Sequence, residues 1–152
     1  MRVRTGVGAV VAIGAIAILA NRPGGRTADP ESRSVDLARG AAIYAQACAA
    51  CHGADLAGQP DWTSPDPDGR LPAPPHDATG HTWHHPDRVL LQITQLGTAA
   101  VVGNGYESNM LGFANMYSED ELWDVLAWIK THWPDRERAY QAQVTAQDQQ
   151  DK

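Results

Sequence analysis

Cys48-Ala49-Ala50-Cys51-His52 decides what kind of chain this is. It holds the only two cysteines, two residues apart, with a histidine directly after them. It also ends a run with a helical pattern. Asp36 can cap, and D-L-A-R-G-A-A-I-Y-A-Q-A-C-A-A-C-H is Ala-rich, with Leu37, Ile43, Tyr44 and Ala47 near one face. Three readings of the cysteine pair compete. In an exported chain two cysteines ordinarily suggest one disulfide. A thioredoxin-like redox pair needs a βαβ setting, and no alternating β-branched runs supply one. A zinc site needs about four ligands, usually as two pairs, and there is no second Cys pair.

The fourth reading uses the histidine as well. C-x-x-C-H is the attachment signature of a c-type haem. One helical turn brings two thiols to two vinyl groups on one macrocycle edge, and His52 then lies under the iron as proximal axial ligand. This reading also accounts for residues 53–80. They lack periodicity and hold six prolines, at 60, 65, 67, 72, 74 and 75, with four glycines. So long an irregular stretch is unusual in a compact domain, unless it wraps a group that is not protein. Gly53 allows a tight exit under the ring. A carbonyl of the Pro72–Pro75 run is expected to accept the second nitrogen of His52 and set its tautomer.

The rest of the chain can be read against an iron in need of a sixth ligand. A second helix is expected from Pro86 to Leu96, stopped by Gly97, with Val89, Leu90, Ile93 and Leu96 as its buried stripe. Residues 97–115 read as Gly- and Asn-rich loop. A last helix follows the capping box Ser118/Glu121, with Tyr117 and Leu122 as a hydrophobic staple and Pro134 as its end. N-M-L-G-F-A-N-M at 109–116 carries Met110 and Met116. Met110 sits in irregular loop, which can bend to present a thioether, and is the better placed of the two for a metal. Met116, two residues before the cap, is the alternative ligand but is expected instead to pack under the last helix, the usual use of a methionine.

Four of six histidines fall within H-D-A-T-G-H-T-W-H-H: His76, His81, His84 and His85. One reading is a second metal site, copper for choice, assisted by Asp77 or Asp87. The other places His85 before Pro86, and sets Trp83 and a histidine at a haem propionate. A histidine replacing methionine on the iron is a third. His132 reads as a dipole partner or a surface residue late in the last helix.

Gly40 and Tyr44 before C-A-A-C-H, a loop-helix-loop middle, and N-M-L-G-F before E-L-W-D-V-L-A-W-I-K-T-H-W-P make residues 36–134 resemble the class I c-type cytochromes, the small monohaem cytochrome c family. The resemblance implies an all-α cytochrome c fold, with three main helices and long loops around one covalent haem c. It implies that the first and last helices cross at Gly40, Tyr44 and Trp128. It implies attachment at Cys48 and Cys51, with His52 and Met110 as axial ligands. The family usually has proline after that methionine; here Leu111 stands there. With both axial positions filled, the implied activity is one-electron carriage, not enzymatic turnover. The alternatives are a copper-handling haem protein using His76–His85, and a haem sensor or peroxidase with a displaceable ligand.

Outside that domain, Arg2 and Arg4 precede a 14-residue apolar run, Val7–Ala20. It reads as an export signal or a marginal membrane anchor, since a comfortable span needs roughly 17–25 residues. Residues 1–20 are thus signal or anchor, 21–35 linker and 135–152 a mobile polar tail, which puts the domain on the periplasmic side, free or tethered. Setting aside the arginines at 2, 4, 22 and 26 takes the formal net charge from −6 to −10. So acidic a monomer is repelled by nucleic acid and suits redox proteins with basic docking patches.

Overall fold

The computed structural model describes residues 34–151. The signal or anchor expected at 1–20, and all but the end of the 21–35 linker, lie outside them. Among the described residues there are six α-helical segments: α1 (Leu37–Ile43), α2 (Ala49–His52), α3 (Asp87–Leu96), α4 (Thr98–Val102), α5 (Glu119–Thr131) and α6 (Asp135–Gln150). A π turn, Tyr44–Cys48, joins α1 to α2, and a short 3₁₀ turn, Thr82–His84, precedes α3. Among the described residues there is no strand, and the only ladder pairing is one antiparallel bridge, Gly97 to Leu111. No described helix is long and apolar enough to cross a membrane.

The core is the crossing of α1 on α5. Asp36 caps α1, its side chain accepting from the Arg39 N–H at 2.9 Å. An added Cβ at Gly40 would collide with the Asp124 carbonyl oxygen of α5, which explains a glycine in mid-helix. Tyr44 and Trp128 meet beside it, ring centroids 4.7 Å apart. Asp124, 1% exposed, accepts from Asp36 N–H at 2.9 Å and from Arg39 Nε at 2.5 Å, so a buried carboxylate is fully partnered. The expected roles of Gly40, Tyr44 and Trp128 at this crossing agree with the contacts. The π turn, closed by Ala49 N–H on Tyr44 O, widens the helix by one residue. Tyr44 thereby faces α5 while Cys48, Cys51 and His52 face a cavity.

α5 starts at the anticipated capping box. Ser118 N–H donates to Glu121 Oε2 at 2.8 Å, and Glu121 N–H returns to Ser118 Oγ at 3.4 Å. Leu122, Val125, Leu126 and Ile129 are its buried face. α3 begins after Pro86 and stops at Gly97, whose φ of +85° suits a residue without Cβ.

Three expectations need correction. Leu96, expected in the buried stripe of α3, is 57% exposed as the helix runs out toward Gly97, and Leu90 is the fully buried residue of that stripe. Residues 97–115 contain a short helix, α4, and are not all loop. Within the stretch 135–152, expected as a polar tail, Asp135–Gln150 forms a helix, α6, lying on the 3₁₀ turn and the start of α3. It carries no apolar stripe. What holds it is polar: Gln141 Nε2 donates to His85 O (3.3 Å) and Asp87 Oδ1 (2.5 Å), Asp87 N–H donates to Thr145 Oγ1 (3.1 Å), and Arg88 pairs with Asp148. Hydrophobic periodicity has no means of showing such a helix.

Candidate functional site

A cavity of about 520 Å³ opens between α2, residues 71–76, α3, the Met110 loop and α5. That is within the roughly 300–1,000 Å³ of sites that hold bound organic groups. Cys48, Cys51, His52 and Met110 all line it, and the rest of the wall is mostly apolar, including Ile43, Leu90, Ile93 and Val125.

His52, 7% exposed, ends α2. Its Nδ1 donates to Pro74 O at 2.8 Å, within the proline run singled out from the sequence. This bond leaves Nε2 as the unprotonated nitrogen. Nε2 has no hydrogen-bond partner and is not sealed among protein atoms, so it opens to the cavity. Burial lowers the His52 pKa, against the opposing pull of the Pro74 carbonyl, and favours the neutral ring a metal requires. His76 stacks on it, centroids 3.9 Å apart and planes 19° off parallel. The His76 Nδ1 is buried without a partner, and burial lowers this pKa well below the usual histidine range.

Both thiols are free. Burial, with a smaller push from Cys51, raises the Cys48 thiol to about 11. A redox-active C-x-x-C pair has a lowered thiol pKa. The sign here, and the lack of any strand among the described residues, argue against the thioredoxin-like reading.

The Met110 loop is moored to the end of α3 by two glycines. A Cβ on Gly97 would come within 2.8 Å of Met110 O, and one on Gly112 within 2.5 Å of Gln95 O. Met110 N–H donates to Ser108 Oγ at 3.1 Å, and Met110 Sδ accepts from Thr98 Oγ1 at 3.3 Å. Met116 does not pack under the last helix: it is 62% exposed and off the cavity wall. Phe113 and Tyr117 take the inward positions, and the turn closed by Met116 N–H on Phe113 O swings Met116 outward.

The histidine cluster divides. His81 and His85 reach the cavity, His81 stacked on Trp62 at 5.2 Å, while His84 lies against Trp83 and Tyr140 on the α6 side. Trp83 Nε1 donates to Ala78 O at 3.3 Å, and Trp83 is not on the cavity wall. Among the described residues no three His, Cys, Asp or Glu side chains stand together as a metal site. His132 is exposed, its ring against Trp128.

Sequence reasoning missed Trp62, Thr98 and Arg70. Arg70 spans the two loops that flank the cavity, Nη2 on Glu107 Oε2 at 3.1 Å and Nη1 on Asn109 Oδ1 at 2.9 Å. An isolated polar residue in irregular chain has no periodic signal. Every Lys and Arg from 34 to 151 stands in an ion pair: Arg39, Arg70, Arg88, Lys130, Arg136 and Arg138. Sixteen Asp and Glu occupy the same span, so the surplus charge is negative.

The family model described as cytochrome c matches residues 37–133, well over half of the chain. No curated protein and no solved structure matches significantly. Its helix crossing, its cavity and that match put the chain in the cytochrome c family, whose domains bind haem c covalently and transfer electrons.

Proposed function

We propose that this protein is a monohaem one-electron carrier in which Cys48 and Cys51 anchor the porphyrin and His52 and Met110 take the two axial positions. The observation that carries this reading is the His52 ring. Pro74 O holds Nδ1–H, and Nε2 opens, neutral and unpartnered, into an apolar cavity that Met110 also lines. The donor set fits haem c: two thiols one helical turn apart, one imidazole, one thioether. Bound haem supplies a one-electron couple, and a thioether ligand raises its potential. With both axial positions held by side chains, the chain keeps oxygen and peroxide off the iron.

Spectroscopy of the ferric haem protein tests the ligands. The Met–iron charge-transfer band should vanish in Met110→Ala and persist in Met116→Ala. Survival in the first and loss in the second would reverse the assignment.

The partner reading follows from charge. The acid surplus and the exposed Leu71, Tyr106 and Leu111 at the cavity wall suit a redox protein with an apolar contact patch ringed by basic residues. Arg2, Arg4 and Val7–Ala20 support export to the periplasmic side, by cleaved signal or by anchor.

A further inference from the structure

We infer that the Thr98 hydroxyl is a positioning group for the Met110 thioether and sets how strongly it donates to iron; the inference rests on Met110 being an axial ligand. Thr98 is the first residue of α4 and lines the cavity. A helical threonine ordinarily turns its hydroxyl back to a carbonyl three or four residues earlier. Thr94 does so, with Oγ1 at 2.9 Å from Leu91 O and 3.1 Å from Leu90 O. Thr98 does not. As the first residue of α4, directly after Gly97 with its φ of +85°, it has no preceding turn of its own helix to bond back to. Its hydroxyl turns to Met110 Sδ, at 3.3 Å.

The same turn fixes both partners. Gly97 sits between α3 and Thr98, and its Cα side faces Met110 O closely enough to exclude a Cβ. Donor and sulfur are therefore carried on apposed backbone and not on independent loops. A thioether is a weak acceptor. Sulfur has two lone pairs, so one can serve the iron while the hydroxyl takes the other. That hydrogen bond draws electron density from sulfur and weakens its donation. Ferric iron, the more demanding acceptor, loses more than ferrous, so the bond raises the reduction potential.

The test measures potential and the Met–iron charge-transfer band in the haem-loaded protein and three variants. Thr98→Val keeps the shape and removes the donor, Thr98→Ala removes both, and Thr98→Ser keeps the hydroxyl. The potential should fall in Thr98→Val and Thr98→Ala and stay close to wild type in Thr98→Ser. A band lost in Val and Ala but kept in Ser would equally support a hydroxyl that holds the ligand. Unchanged potentials in Val and Ala, or a fall in Ser as large as theirs, would overturn the inference. Failure of the ligand reading shows separately: the wild-type band would be absent or would survive Met110→Ala, and the role of Thr98 would fall with it.

Discussion

At the scale of single residues, position outweighs type. Met110 and Met116 are chemically identical, yet one lines the cavity and the other is exposed. Gly40 is the sharpest steric constraint, with the Asp124 carbonyl where its Cβ would go. Gly40→Ala should gain helix propensity and still lose stability, by about 1–3 kcal/mol, because α1 must move off α5. The check is a lower urea midpoint at unchanged m-value. His81 and His85 have pKa values lowered by burial first and by neighbouring histidines second. Both are thus more readily neutral in the folded state, while the unfolded chain takes up protons below about pH 6.5. The unfolded state then binds more protons, so stability should fall as pH drops through that value. The urea midpoint should be lower near pH 5.5 than near pH 7.5, and the drop shallower in the His81→Gln/His85→Gln pair.

At the scale of elements, the segments invisible to periodicity are those held by polar bonds or by backbone apposition. α6 is one. Ending the chain after Pro134 removes Gln141, Thr145 and Asp148 from the start of α3. The domain should lose roughly 1–3 kcal/mol, at about 1 kcal/mol for each hydrogen bond made by Gln141 and Thr145. Its haem spectrum should be unchanged, since α6 does not line the cavity. The Met110 loop against α3 is the other. Gly112→Ala would wedge a methyl group against Gln95 O. The expected result is a weakened Met–iron band with both thiol linkages intact, because Cys48 and Cys51 lie on a different element.

At the scale of the whole molecule, charge is the property a partner meets first. All six basic residues of the described span are engaged in ion pairs, against sixteen acidic ones. Electron exchange with a basic redox protein should slow as ionic strength rises from roughly 0.01 to 1 M, where the Debye length shrinks from about 30 to 3 Å. Stopped-flow rates across that range provide the measurement, and a rate that rises with salt would contradict an attractive docking field.

Much of the site was legible because its chemistry is local. Cys48, Cys51 and His52 need one helical turn, the Pro74 carbonyl needs a stiff proline run, and the Ser118 cap needs only its Glu121. A glycine in mid-helix at position 40 pointed to a close backbone contact, and family resemblance named its partners at the crossing with Tyr44 and Trp128. Tertiary structure decided the rest: the outward turn of Met116, the division of the histidines, α6, and the meeting of Thr98 with Met110. Each depends on contacts and turns that no repeating pattern of residue types encodes. Periodicity records which face of an element is buried; it does not record which hydrogen bonds remain for a side chain once the chain has closed on itself.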